Sequence, residues 1–352
     1  MSDLEFKLKT LTPIWTGGVE GRDNKLHLTG IKGSIRWWME TLVRGLDGYA
    51  CNPGSKNSED KCELKLNENI KNLDEKLKNL CPVCQIFGCT GWAGKVILRI
   101  DEKKEKDKGK EQYEPILNLF DRGILFTLRF IERKMLEPYE KKLLTATIKL
   151  IVEYGALEGK TILKPSEKNS IKNYESYKNR NHLDYGIIAF QEPYKEKVSV
   201  KGISLNNPPG KGNKADWPNL LNFWFVKEVY IHRTEINDLV NRDKSNEKRY
   251  ANNATEGDVF MGGYIKDDKR HLPNNINDEI KKREVESDGE SKKIFSFHGF
   301  PKNNGGKDGF SPRCFGYARD TKKRDEIANK VKDFLKGKTF EFKTGKEVLD
   351  EL

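Results

Sequence analysis

Residues 4–11 alternate apolar and charged side chains, with Leu4, Phe6 and Leu8 set against Glu5, Lys7 and Lys9. Further on, that period of two gives way to helical spacing at Ile31, Ile35, Trp38 and Leu42. Alternation of this kind describes a half-buried strand, and the wider spacing describes an amphipathic helix. Both elements have one apolar side to bury, so the chain must begin as a strand and a helix packed in layers.

The spacing predicts a helix over 31–45, with Thr29 or Gly30 able to cap it. At about 100° per residue, Lys32, Arg36, Glu40 and Arg44 fall opposite the apolar stripe, and Trp37 lies beyond Arg44 on that side. Arg36–Glu40 and Glu40–Arg44 are then solvated pairs worth about 0.3–0.5 kcal/mol each. The same cationic stripe suits a phosphate backbone, and a large aromatic on a wet face points to an interface.

Strands are expected at Val96–Ile100, Gly123–Glu132 and Tyr185–Gln191. A second helix, with proline in its first turn, is expected at Pro138–Val152. The order is β-α-β-β-α-β, the ferredoxin-like pattern shared with the RNA-recognition motif. Polar stretches interrupt it: 52–79, with a helix near Leu66–Leu80, then 101–114, read as a solvated connection, and 164–181. Residues 194–219, with Pro208, Pro209, Gly210 and Gly212, read as a linker.

In the second half, strands are expected at Phe223–His232, Ile294–His298, Arg313–Arg319 and Thr339–Lys343. Helices are expected at 233–250 and at Arg324–Leu335, stopping before Gly337, with a charged loop at 266–293. The fold class is therefore α+β: two ferredoxin-like (RRM-like, βαββαβ) domains with long insertions. Residues 1–195 form the first, and 196–352 a degenerate second. Helices on one face of such a sheet leave the other open to RNA or a partner.

Lysine and arginine total 65 against 54 acids, a net charge of +11, and this excess points to a polyanion, with nucleic acid first. No apolar run is long enough to span a membrane and the N-terminus lacks a signal-peptide core, so a cytoplasmic protein is expected. In that compartment the six cysteines are thiols or metal ligands rather than disulfides. Cys81-Pro-Val-Cys84 is the sharpest metal signal, with Cys51, Cys62 and Cys89 as possible companions. The pair reads either as free thiols or as half of a structural zinc site. No redox motif is indicated, since the pair does not stand at a strand-to-helix turn.

Two glycine-rich stretches could cradle phosphate. One holds Gly17, Gly18 and Arg22, and the other holds Gly155, Gly159 and Lys160, with Lys164 nearby. Neither has P-loop spacing, and tight turns would account for the glycines equally well. His27, His182, His232, His271 and His298 show no pairing with a nucleophile.

Four segments together resemble a known family: LTPIWTGG, LTGIKGSIRWWMETLVRG, CPVCQIFGCTGWAGKV and EYGALEGKTILKP. They resemble the RAMP (repeat-associated mysterious protein) superfamily of CRISPR systems, and within it the first RAMP subunits of type III-B (Cmr) effectors. The resemblance covers roughly the first 190 residues, the length of one enlarged ferredoxin-like domain. It implies a non-catalytic, RNA-binding member of a ribonucleoprotein for antiviral defence. Its partners would be guide (CRISPR) RNA, target RNA and other RAMP subunits. By position it makes Lys32, Arg36 and the Gly155–Lys160 loop RNA contacts, to which Trp37, Arg44, Arg22 and Lys164 are added as neighbours. No cofactor is required by it. Some superfamily members cleave guide precursors without metal, and His27 would then be the general base.

Overall fold

The computed structural model describes residues 3–14, 16, 26–55, 58–65, 72–106, 110–116, 119, 121–157, 185–194, 198–212, 218–231, 293–297, 311–318 and 320–352. They fall into two compact units. The first holds Met1–Leu220 with Pro301–Phe310 and Lys346–Leu352, and the second holds Leu221–Phe300 with Ser311–Gly345.

In the first unit β1 (Leu4–Thr10) leads to α1 (Leu28–Gly45), and two short helices follow, α2 (Leu73–Leu77) and α3 (Pro82–Phe87). Then come β2 (Val96–Lys106), β3 (Lys110–Pro115), β4 (Leu125–Glu132), α4 (Pro138–Glu153) and β5 (Ile188–Phe190). The sheet runs β3-β2-β4-β1-β5, and every pairing is antiparallel.

Register explains the alternation. Phe6 stands opposite Leu128 and Leu8 opposite Phe126, and all four are buried on the helix-covered face. Glu5 stands opposite Arg129 on the reverse face. Arg129 there contacts Asp3 at 2.6 Å, Glu5 at 3.0 Å and Asp101 at 3.1 Å. Among the described residues of β1, β2 and β4, this reverse face carries no aromatic ring, so it offers charge and not the stacking platform of an RNA-recognition motif.

Residues 101–114 are not the solvated connection expected from their charge. The backbones of 101–106 and 110–114 pair as antiparallel strands of β2 and β3, which adds an edge strand. Nor is 194–219 simply a linker. Val200 is buried with its N–H on Leu352 O, and Asn207 Oδ1 accepts from Tyr49 N at 2.8 Å. The first unit therefore extends to Leu220, past the 195/196 division.

The second unit holds β6 (Phe223–Lys227), β7 (Lys293–Phe297), β8 (Arg313–Tyr317), α5 (Thr321–Phe334) and β9 (Glu341–Thr344), while α6 (Gly345–Glu351), which was not anticipated, returns to the first. Its sheet order is β7-β8-β6-β9, again antiparallel throughout. One face packs Trp224, Val226 and Cys314 with Ile327, Val331 and Leu335. The other stacks Phe223 on Tyr317 at 4.7 Å and Phe295 on Phe315 at 4.8 Å, and these rings are buried too. The helix expected at 233–250 and most of the 266–293 loop lie outside the described residues.

Candidate functional site

Helix α1 begins at Leu28, with His27 as its N-cap. Ile31, Ile35, Trp38 and Leu42 anchor it in the core as its spacing predicts. Its other side does not meet water throughout: from Trp38 to Gly45 every residue is buried. The segment between α1 and β2 folds over that side and brings cysteines to it.

Arg44 therefore lies inside the protein and not on an open, wet face. Its side chain is 4 % exposed, and its Nε and Nη atoms donate to the carbonyls of Ala50, Cys51 and Pro218 at 2.9–3.2 Å. Arg36 is likewise committed. Its Nε donates to Glu40 at 2.8 Å and Nη1 to the carbonyl of Gly88 at 2.6 Å. Its Nη2 lies 3.0 Å from Cys84 Sγ and 3.8 Å from Cys51 Sγ. Glu40 is itself buried, which raises its pKa against the pull of Arg36 and Arg44.

Cys51, Cys62, Cys81 and Cys84 bring four sulfurs within 4.8 Å of one another. Cys89, the fifth candidate, is half-buried, lies outside this set and directs its Sγ at Thr90 O. Cys81 caps α3 and accepts from Cys84 N at 3.4 Å, while Cys62 Sγ accepts from Cys81 N at 3.3 Å. Cys51 Sγ and Cys84 Sγ are 3.4 Å apart. Hydrogen bonds from the other three thiols push the Cys51 thiol down, and the same bonding raises Cys62 and Cys84. Burial is the largest influence raising Cys81. Four thiolates so close repel, so either most stay protonated or a cation sits among them.

At the other end of α1, Leu28, Thr29 and Lys32 line a shallow groove with Ala93, Val96, Ile97, Leu98 and Arg133. Lys32 is held below the ordinary lysine range, first by burial and then by the charges of Arg36 and Arg133. Among the described residues, the groove brings two cations together with no carboxylate in its lining, and Arg133, exposed just after β4, is the member that sequence spacing did not single out. The Arg133-Lys134 pair at a strand end was the available signal.

Trp37 is half-buried and lies edge-on to Trp38 at 5.0 Å. Gly155 serves packing: a Cβ there would stand 2.5 Å from Trp38 Cζ2, and Trp38 Nε1 donates to Ala156 O at 3.0 Å. His27 holds Nε2 buried with no hydrogen-bond partner among the described residues, and its backbone N–H donates to Thr16 Oγ1. Gly17, Gly18, Arg22, Gly159, Lys160 and Lys164 lie outside the described residues.

A family model described as the RAMP superfamily matches residues 7–342. No curated protein matches. Among solved structures, the chain is similar to apo Cmr1 from Pyrococcus furiosus, at 11 % identity and TM-score 0.42, with 100 % of each chain covered. It is also similar to a chain of a type IV-B CRISPR complex, at 12 % identity and TM-score 0.31, covering 58 % of this chain and 96 % of that one.

Proposed function

Because the chain belongs to the RAMP superfamily, we propose that it is a non-catalytic RNA-binding subunit of a type III-B CRISPR effector, holding guide RNA and target RNA in the cytoplasm beside other RAMP subunits. The observation that carries this reading is the family match over residues 7–342. The architecture supports it. Numbering the four shared strands of each sheet in chain order, both sheets run fourth-first-third-second, as two ferredoxin-like domains would.

The RNA contact assigned here is the groove of Lys32 and Arg133, since Arg36 and Arg44 are spent inside the protein. Backbone phosphates suit a site with two cations and no carboxylate in its lining, so binding depends little on sequence.

The test is RNA binding by fluorescence anisotropy with the full chain, together with the fate of labelled RNA. Lys32→Ala and Arg133→Ala should each weaken binding across unrelated sequences and reduce the salt slope by about 1. Cleavage that disappears in His27→Ala would overturn the non-catalytic reading. Purification from the native host without RNA or sister subunits would overturn the assignment to an effector.

A further inference from the structure

The cysteine cluster asks for an occupant. Its four members come from three separate stretches: Cys51 just after α1, Cys62 in the following loop, and Cys81 and Cys84 on the turn into α3. No two of these stretches need to meet to build the sheet, yet all four sulfurs converge within 4.8 Å. A disulfide would use only two of them. A tetrahedral zinc with Zn–S of about 2.3 Å places its sulfurs about 3.8 Å apart, and the Cys51–Cys84 separation of 3.4 Å and the 4.8 Å limit bracket that value. The same compactness excludes a four-iron cluster, whose cysteines stand further from one another.

The surroundings are those of a metal centre. Backbone N–H groups of Cys81 and Cys84 already point at sulfur. The Arg36 guanidinium reaches Cys84 Sγ and Cys51 Sγ while Glu40 and Gly88 O fix its other nitrogens. Such outer partners orient thiolates and offset their charge.

We propose that Cys51, Cys62, Cys81 and Cys84 bind one zinc ion through four sulfurs, and that Arg36 is the positioning residue that ties this centre to helix α1. Each thiol surrenders its proton to solvent on ligation. The centre then carries two net negative charges, one of which Arg36 offsets. The ion ties together three stretches of the segment between α1 and β2, beside the buried Leu80, Val83, Ile86 and Phe87.

Metal content of the full chain, grown with zinc and purified without chelator, should be about one zinc per chain. Cys62→Ser should lose it, while Cys89→Ser and Cys314→Ser retain it. Should Cys62→Ser be insoluble, cobalt exchanged into the wild type decides: tetrahedral tetrathiolate absorption supports the proposal, and octahedral or absent absorption sinks it. Arg36→Ala should still bind zinc but yield it to a competing chelator with about 10–100-fold lower affinity, and Arg36→Lys should recover only part. Wild type without zinc, wild type loaded with iron instead, or a Cys51–Cys84 disulfide in freshly purified protein would each overturn the zinc site. Unchanged affinity in Arg36→Ala would overturn the positioning role.

Discussion

Arg44 shows how far one side chain's surroundings can depart from its place on a helical wheel. The wheel puts it opposite the apolar stripe, and that placement holds. Water is nevertheless absent there, because the carbonyls of Ala50, Cys51 and Pro218 take up its donors. Arg44→Lys keeps the charge but cannot reproduce the planar fork. It should cost about 2–3 kcal/mol, because carbonyls left unpaired in the interior carry their desolvation penalty. Urea unfolding measures the loss, and RNA affinity of the folded variant should stay at the wild-type level. Gly155 makes the same point from the packing side. Gly155→Ala pushes a methyl into the Trp38 ring and should cost about 1–3 kcal/mol. Trp38→Phe removes the crowded six-membered ring, so the double variant should fall well short of the sum of the single losses. Lys32 differs from both, because its charge is opposed by neighbours and not satisfied by them. Phosphate beside it favours the charged form, so RNA affinity should fall as pH rises through its lowered pKa. Lys32→Arg, charged throughout, should lose that pH dependence in alkaline binding titrations.

At the level of elements, what was legible followed from periodicity. The strand at 4–10, the helix α1, the strand β4 and the helix α4 each present one apolar side, and each formed within a few residues of its expected span. The β2–β3 pairing was illegible because its residues are charged, and charge at a sheet edge signals protection from further pairing as well as it signals a loop. The cover over the C-terminal half of α1 was illegible for another reason: it is built from long-range contacts of an irregular segment, which has no period to read. Lys95 shows how that segment is fixed. Its N–H donates to Gln85 O and Ile86 O, its carbonyl accepts from Arg133 N and Lys134 N, and its Nζ lies 2.8 Å from both oxygens of Glu140. Glu140 in turn accepts from Glu137 N at the start of α4. Burial raises the Glu140 pKa even with Lys95 beside it. Lys95→Met should therefore cost about 3–5 kcal/mol by stranding a buried carboxylate. Lys95→Met with Glu140→Gln keeps the cap acceptor without the charge, and urea unfolding should show it clearly more stable than Lys95→Met alone.

At the scale of the whole molecule, the two units repeat one solution. Each sheet is antiparallel, the four strands that the two share follow the same order, and each sets a tryptophan against a glycine: Trp38 over Gly155 in the first unit, Trp224 over Gly316 in the second. The close approach is 2.5 Å from the missing Cβ in both. No close repeat betrays this in the sequence, since packing of that kind fixes two residues per unit and leaves the rest free to vary. The buried aromatic ladder of the second sheet and the ring-poor reverse face of the first leave little surface for stacking bases among the described residues. On the proposed reading, affinity for RNA comes from charge, of which the chain has a net +11. Binding carried by phosphate contacts releases counterions, and log K falls with log salt at about −0.7 per phosphate on single strands. The isolated chain should show that linear fall, with nearly equal slopes on homopolymers and mixed sequences. A stacking protein would differ, since aromatic contacts leave a salt-insensitive remainder of about 1–3 kcal/mol per base. Anisotropy titrations on poly(A) and poly(U) across a range of salt separate the two: a common steep slope supports recognition by charge, and a flat residual affinity that varies with base would refute it.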